Sequence, residues 1–556
     1  MLLESLANRR AAKLSAIFLS ISAISLAFSP AAKQYEISLY SSTPLLLWIS
    51  LAVSLLLIIS TIFIANKTSQ LITSAGLLLV FYTILYSIPA ARGYHLYGRG
   101  NSDILTHIGY AKDVNEILTW YPAIHIQMRF LREWGLQWDL VATALAVVFS
   151  FLFAFGVALY ARSLFHEKHI WMMTLIVSVM PLLGPFTRTT HPAVYSFMLL
   201  PIALWLARRG KQGAKQRHLI STLIISSVII IFHPVTAVLL VIGLIIDNIR
   251  IQPTIRNRGI FIPVYVIVGT AFWYIGFSRF AVIIGAVATP NIGGAGAAPT
   301  TAILNPAFTP LDIIQRGIEI YGAIAIIGTL GGIGTVTLIR ENFRGREEPS
   351  DGVLIGHYLT SGIFGALFLL IDLVVSAPIR AARYGVFASI LTLPNIIRPL
   401  SGQKRAIVSA VIVVFLIMSL ALSIGTVYEP NKHFTDTEYE GATWQASYHS
   451  GSTAVYAHDM GKKVDFYLFG ANTNRIVFAS RPMPDQLGYS DSEITSDSVG
   501  SGYLITKTYD VRFADIFMEG IRSQRMVYSE DNIERLSADP SADSIYSNGG
   551  YSVWIV

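Results

Sequence analysis

The sequence predicts a polytopic α-helical membrane protein of about 13 spans, followed by a mixed α/β domain on the extracytoplasmic side. Three observations predict it. Of 556 residues, 53% are hydrophobic and only 13% charged, and the mean hydropathy is +0.55; a soluble domain carries about twice that charged fraction. Apolar runs of roughly 20 residues, enough to cross a hydrocarbon core of about 30 Å, recur as far as residue 426. Beyond that point the composition turns acidic, with 18 Asp or Glu against 10 Lys or Arg over residues 427–556.

Taken in order, the expected spans are roughly 12–30, 44–64, 70–89, 139–161, 169–186, 192–207, 218–232, 234–248, 259–278, 318–339, 353–375, 383–399 and 406–426. The two flanking His233-Pro234 are short and read as tilted helices or half-helices meeting at a polar break. Arg9, Arg10 and Lys13 precede the first span, and small residues follow it, as in a signal peptide; the length of the run favours retention. Lys and Arg concentrate in alternate loops, including Arg208, Arg209 and Lys211, then Arg250, Arg256 and Arg258. The positive-inside rule makes those loops cytoplasmic, with the N-terminus inside and the C-terminus outside. The transmembrane domain is then 1–426, with external loops at 90–138 and 279–317, and the soluble domain is 427–556. Scattered basic residues in short loops argue against nucleic acid, and the absence of cysteine excludes disulfides and thiolate chemistry.

In the external domain TAVYAH, KVDFYLF, NRIVFA, GYLITKTY and YSVWIV read as strands. IYSNGGYSVWIV reads as a hairpin, and EYEGATWQASYH and FADIFMEGIRS as helices. The segment 288–317, rich in Gly, Ala, Pro and Thr, reads as a lid or a passive connector, with Asp312 capping a short helix after it.

The external loop after the third span contains YGRGNSDILTHIGYAKDVNEILTWYPAIH. Ser102 can cap a helix from Asp103, and Ile104, Ile108 and Ala111 give it an apolar face for the membrane surface. Asp103 and His107, four apart, share a face. Asp103 reads either as a helix-dipole partner or as a general base. The order Asp103, Tyr110-Ala111, Tyr121-Pro122 resembles the first external loop of the clan C (GT-C) integral-membrane glycosyltransferases, which include protein O-mannosyltransferases and oligosaccharyltransferase catalytic subunits. GRGNSDILTHIGYAKDV followed by YPAIH, and the closing IYSNGGYSVWIV, are most similar to archaeal proteins of this type. The acidic residue follows the first span in that clan and the third here, so the resemblance treats the first two spans as an addition to an eleven-helix core.

The resemblance implies a transferase that takes a sugar from a polyprenyl (dolichyl) phosphate, the co-substrate, and passes it to a glycan or protein acceptor at the outer face, with Asp103 catalytic. His107, Tyr121 and His125 lie in the same loop and would help bind substrate. Arg188 and His191 in FTRTTHPAVY, and His233 in IFHPVTAV, stand at His-Pro helix starts, where either backbone N–H groups suit phosphate or each His caps its helix or contacts a neighbouring carbonyl. Asp372, inside a span, needs a partner or a wet cavity. Arg380 and Arg383 follow it; one pairs with Asp372 or binds the lipid phosphate through its planar fork. Arg383-Tyr384 resembles an Arg-Tyr at the start of a late span in the clan. Neither an Asp-X-Asp nor an Asp-Glu motif is present, so a divalent metal is possible but not supported by such a motif. A lipid-linked glycan flippase and a non-catalytic assembly protein stand as the alternatives.

Overall fold

The computed structural model describes the chain except residues 1, 66, 99–101, 114, 116–117, 119–120, 181–189, 214–215, 249–259, 276–309, 349, 376–378, 430, 450, 452, 459, 479–480, 482, 491–493 and 518–527. For residues 2–5, 97, 211–213, 310–317, 319–320, 367–375, 379–382, 426, 498 and 513–517 it describes the backbone alone.

A helix stands at every position where a span is expected. In order these are α1 Leu2–Ala27, α2 Leu45–Ile64 and α3 Thr68–Ala91, then, after a strand β1 Tyr94–Tyr97 and two loop helices, α4 Asp103–Lys112 and α5 Pro122–Glu133, the run α6 Trp138–Leu164, α7 Lys168–Ser178, α8 Pro192–Gly213, α9 Gln216–Phe232 and α10 Pro234–Ile246. They continue as α11 Phe261–Ile275, α12 Pro310–Phe343, α13 Asp351–Val375, α14 Ile379–Thr392 and α15 Gly402–Tyr428. Among the described residues, six are long and apolar enough to cross a membrane: α1, α2, α3, α6, α12 and α15. Three more, α9, α10 and α11, are apolar but shorter. Asp312 is no cap, because it lies inside α12, which begins at Pro310.

Small residues set the closest helix contacts. A Cβ on Gly334 would come within 2.1 Å of the Thr392 carbonyl oxygen, so α12 and α14 meet backbone to backbone. Asn8 Nδ2 donates to the Thr61 carbonyl at 2.7 Å, and the Ser22 hydroxyl to Ser50 at 2.8 Å, so the α1–α2 pair satisfies its polar groups internally.

The C-terminal part builds on a four-stranded sheet of order β3-β4-β6-β5, from Ala454–Ala457, Gly502–Lys507, Tyr551–Ile555 and Asp543–Ser547. β3 and β4 are parallel; the others pair antiparallel, and Ser547 faces Ser552 across the expected hairpin. A short strand β2, His433–Thr435, leaves this sheet alone and pairs instead with β1. The helix α16 Asp436–Tyr448 follows it, held by a capping box between Thr435 and Glu438. Two strand expectations fail. KVDFYLF forms a helix, α17 Lys462–Phe469, stopped by Gly470 at φ 97°. NRIVFA forms no strand over its described residues: the Val477 and Phe478 N–H groups donate to the buried carboxylate of Asp465 on α17, at 3.0 and 3.1 Å, where a neighbouring strand would otherwise accept them. FADIFMEGIRS begins inside the helix α18 Thr508–Phe517, and its remainder lies outside the described residues. One apolar core runs without a break from the helices through Leu96, Ile104, Leu105 and Ile108 into Phe434, Val464, Ile505 and Val553 of the sheet domain.

Candidate active site

The loop after α3 is the joint between the two parts, and Asp103 opens its first helix. Ser102 caps α4 by accepting from the Ile104 N–H, so Asp103 stands in the first turn, where the helix dipole favours its negative charge. The apolar stripe of α4 is packed away, with Ile104, Leu105, Ile108 and Ala111 at most 1% exposed. That covers the face expected to lie on the membrane and leaves Asp103 half-exposed.

Two ends of the carboxylate have different neighbours. Oδ1 accepts from the Lys463 ammonium at 2.8 Å. Oδ2 faces His191 Nε2 at 3.7 Å. Desolvation works against the charge, but the Lys463 hydrogen bond and charge, with His191 and His107 nearby, outweigh it and hold the carboxyl below its ordinary value. His191 Nδ1 accepts the Ala193 N–H at 3.1 Å, so its proton sits on Nε2, the nitrogen turned toward Asp103. The residue before it, Thr190, is held at φ 47°, a costly setting for a β-branched side chain.

Behind Asp103 lies a cluster of rings. His107 Nδ1 and His125 Nε2 are 3.0 Å apart and share one proton, and both side chains are buried. Burial above all, then the nearby His191, pushes His107 down to about 3, which keeps it neutral. Tyr110 stacks on His125 at 5.3 Å, and Tyr121 on His233 at 5.4 Å. The His107 and His191 rings are 6.5 Å apart, and those of His191 and His233 are 6.3 Å apart. His191 and His233 immediately precede Pro192 and Pro234, the first residues of α8 and α10. One turn further in, Ser196 and Thr236 hydroxyls meet at 2.7 Å. Two helix starts therefore stand side by side, beside Asp103. Among the described residues no three histidine or carboxylate side chains are arranged to hold a metal ion.

The structure thus brings together Asp103, His107, Tyr121, His125, His191 and His233. It does not bring Tyr384 to them. The Tyr384 hydroxyl donates to His357 Nδ1 at 2.8 Å, His357 Nε2 bonds the Tyr160 hydroxyl at 2.8 Å, and Tyr160 donates to Asp247 Oδ1 at 2.9 Å. Arg208 also reaches Asp247, at 3.4 Å. Arg208 and Asp247 lie near the far ends of α8 and α10, roughly 25 Å along α8 from His191 and roughly 20 Å along α10 from His233. Arg383 is buried on the same helix as Tyr384. The backbones of Asp372 and Arg380 belong to α13 and α14, their side chains lie outside the described residues, and Arg188 lies outside them altogether. Lys463 escaped the sequence reading: the alternation in KVDFYLF masks a helix, and nothing local links it to a residue 360 positions earlier.

No family model matches the chain, and no curated protein matches it. Among solved structures it matches the arabinofuranosyltransferase AftD from Mycobacteria, with TM-score 0.50 at 12% identity over 88% of this chain and 40% of that one. It also matches the oligosaccharyltransferase of Archaeoglobus fulgidus (TM-score 0.45, 11% identity, 86% of this chain, 74% of that one) and ArnT from Cupriavidus metallidurans bound to undecaprenyl phosphate (0.44, 12%, 88% and 98%). The AftD match supplies the class: the chain has the fold of the clan C integral-membrane glycosyltransferases.

Proposed function

We propose that the chain is a membrane glycosyltransferase that moves a sugar from a polyprenyl phosphate, dolichyl or similar, to a glycan or protein acceptor at the outer membrane face. The observation that carries this reading is the placement of an ionised Asp103 beside the paired starts of α8 and α10, under the C-terminal domain, in a fold shared with an arabinofuranosyltransferase.

The physical problem is to let a lipid-tailed donor meet a water-soluble acceptor. A polar cluster where the helix bundle joins the sheet domain answers both demands. The first-turn N–H groups of α8 and α10 favour an anion, so the donor phosphate sits there. The acceptor hydroxyl gives its proton to Asp103 Oδ2 as its oxygen forms the bond to the anomeric carbon. The bond from that carbon to the phosphate oxygen breaks, and its electron pair leaves with the lipid phosphate, whose charge the helix starts and the His191 Nε2–H stabilise. The loop distribution of Lys and Arg supports an outward-facing position for this end of the bundle.

The test uses the full chain in lipid, with polyprenyl-phosphate sugars as donors. Asp103→Asn is expected to lower transfer by about 10²–10⁴-fold, the usual worth of a general base, while the protein melts as before. An Asn variant as active as the original excludes Asp103 as the base.

A further inference from the structure

Lys463 occupies the first turn of α17, beside Lys462. Cations there oppose the helix dipole, so the placement has a local cost that the Asp103 carboxylate offsets. The pairing is held in register by the packing of α17 on α4. A Cβ on Gly109 would come within 2.8 Å of Phe466, the Gly109 carbonyl accepts the Ala471 N–H at 3.1 Å, and the Lys112 ammonium donates to the Tyr467 carbonyl. The first turns of both helices therefore lie together, and the ammonium reaches Asp103 Oδ1 at 2.8 Å.

We propose that Lys463 is a positioning residue for the transfer step: it clamps Oδ1 of Asp103, leaving Oδ2, on the His191 side, as the oxygen that takes the acceptor's proton. The C-terminal domain is then part of the reaction centre as well as its cover. This rests on the reading of Asp103 as the base. Among the described residues, the charged and titratable groups facing Asp103 are Lys463 from α17, His191 from the start of α8 and His107 from α4. Of these, Lys463 is the one supplied by the sheet domain. Losing it frees the carboxylate to rotate and raises its proton affinity, so the ionised form is lost at a higher pH than in the original chain.

The experiment is steady-state transfer by the full chain in lipid from about pH 3 to pH 8, for the original protein and for Lys463→Met, Lys463→Gln, Lys463→Arg and Asp103→Asn. Both neutral variants are expected to lose about tenfold in kcat, the scale of one charge-assisted hydrogen bond, with donor KM within about twofold. Their acid limb moves to higher pH, and Lys463→Arg restores both kcat and the limb. Two neutral variants guard against one misfolding, and Lys463 is exposed enough that its removal leaves the melting temperature in place. Unchanged kcat and acid limb in the Met and Gln variants, alongside an inactive Asp103→Asn protein, overturn the role of Lys463 and leave the base assignment standing. An active Asp103→Asn protein removes the base assignment and this inference with it.

Discussion

At the scale of single residues, the division of labour around Asp103 follows from which atoms are already committed. Lys463 takes Oδ1. The Ala193 N–H takes His191 Nδ1, so the one proton of a neutral His191 is directed at Oδ2 and at whatever lies beside it. His191→Gln keeps a donor near this position and His191→Ala removes it. We expect the Ala variant to lose about tenfold or more in kcat/KM and the Gln variant to lose less, measured by the same transfer assay. Equal losses in both would remove the donor role. Much of this site was legible from the chain, because Asp103, His107, His125, His191 and His233 are polar groups at the margins of apolar helices, where burial without purpose is costly. What sequence spacing could not supply was the partner from another part of the chain. Tyr384 shows the opposite limit: its neighbour Arg383 and its position near a span end point to the site, yet its hydroxyl is committed to His357.

At the scale of elements, two of the joints between the sheet domain and the helices are open to test. The first is α17 on α4, where only glycine fits at position 109: its missing side chain admits the Phe466 backbone, with the carbonyl oxygen 2.8 Å from where a Cβ would stand. Gly109→Val is expected to cost about 2 kcal/mol, as overpacking does, and to speed hydrogen exchange in α17 ahead of the bundle; unchanged exchange would contradict the joint. The second is His95 on β1, whose Nδ1 lies 2.8 Å from Asp139 on α6 and whose Nε2 lies 2.7 Å from Asp436 on α16. Burial disfavours the charged imidazole, but the Asp139 and Asp436 interactions together outweigh it and raise the folded-state value above 6.5. The bridge therefore stabilises fully below 6.5 and is lost as pH rises through that higher folded-state value. Thermal stability of the domain joint should fall over this alkaline-going window, and His95→Gln should flatten the fall. A pH dependence identical in the His95→Gln protein would contradict it. The helix pattern of α16 and the β5–β6 hairpin were readable from local signals. KVDFYLF was not, because its alternation is cancelled by packing: Val464 and Tyr467, three apart, share the buried face.

At the scale of the whole molecule, polar groups gather at two levels. One is the Asp103 cluster where helices and sheet domain meet. The other is the buried run Arg208–Asp247–Tyr160–His357–Tyr384, which ties α8, α10, α6, α13 and α14 together. Asp247, 1% exposed, counters Arg208 there, so Asp247→Ala leaves a charge without its partner. We expect a loss of about 3 kcal/mol in stability, read as an earlier melt in detergent, with the residual transfer rate of folded protein unchanged. The helix positions themselves were legible because apolar length alone specifies them, whereas the separation of the two polar levels depends on which helix faces which. The central claim is that the lipid phosphate and Asp103 share one pocket. A structure of the full chain with polyprenyl phosphate bound tests it most directly. The phosphate is expected at the first turns of α8 and α10, within hydrogen-bond reach of His191 and adjacent to Asp103. Phosphate bound instead at the Tyr160–His357–Tyr384 level, or on a surface remote from Asp103, would contradict it.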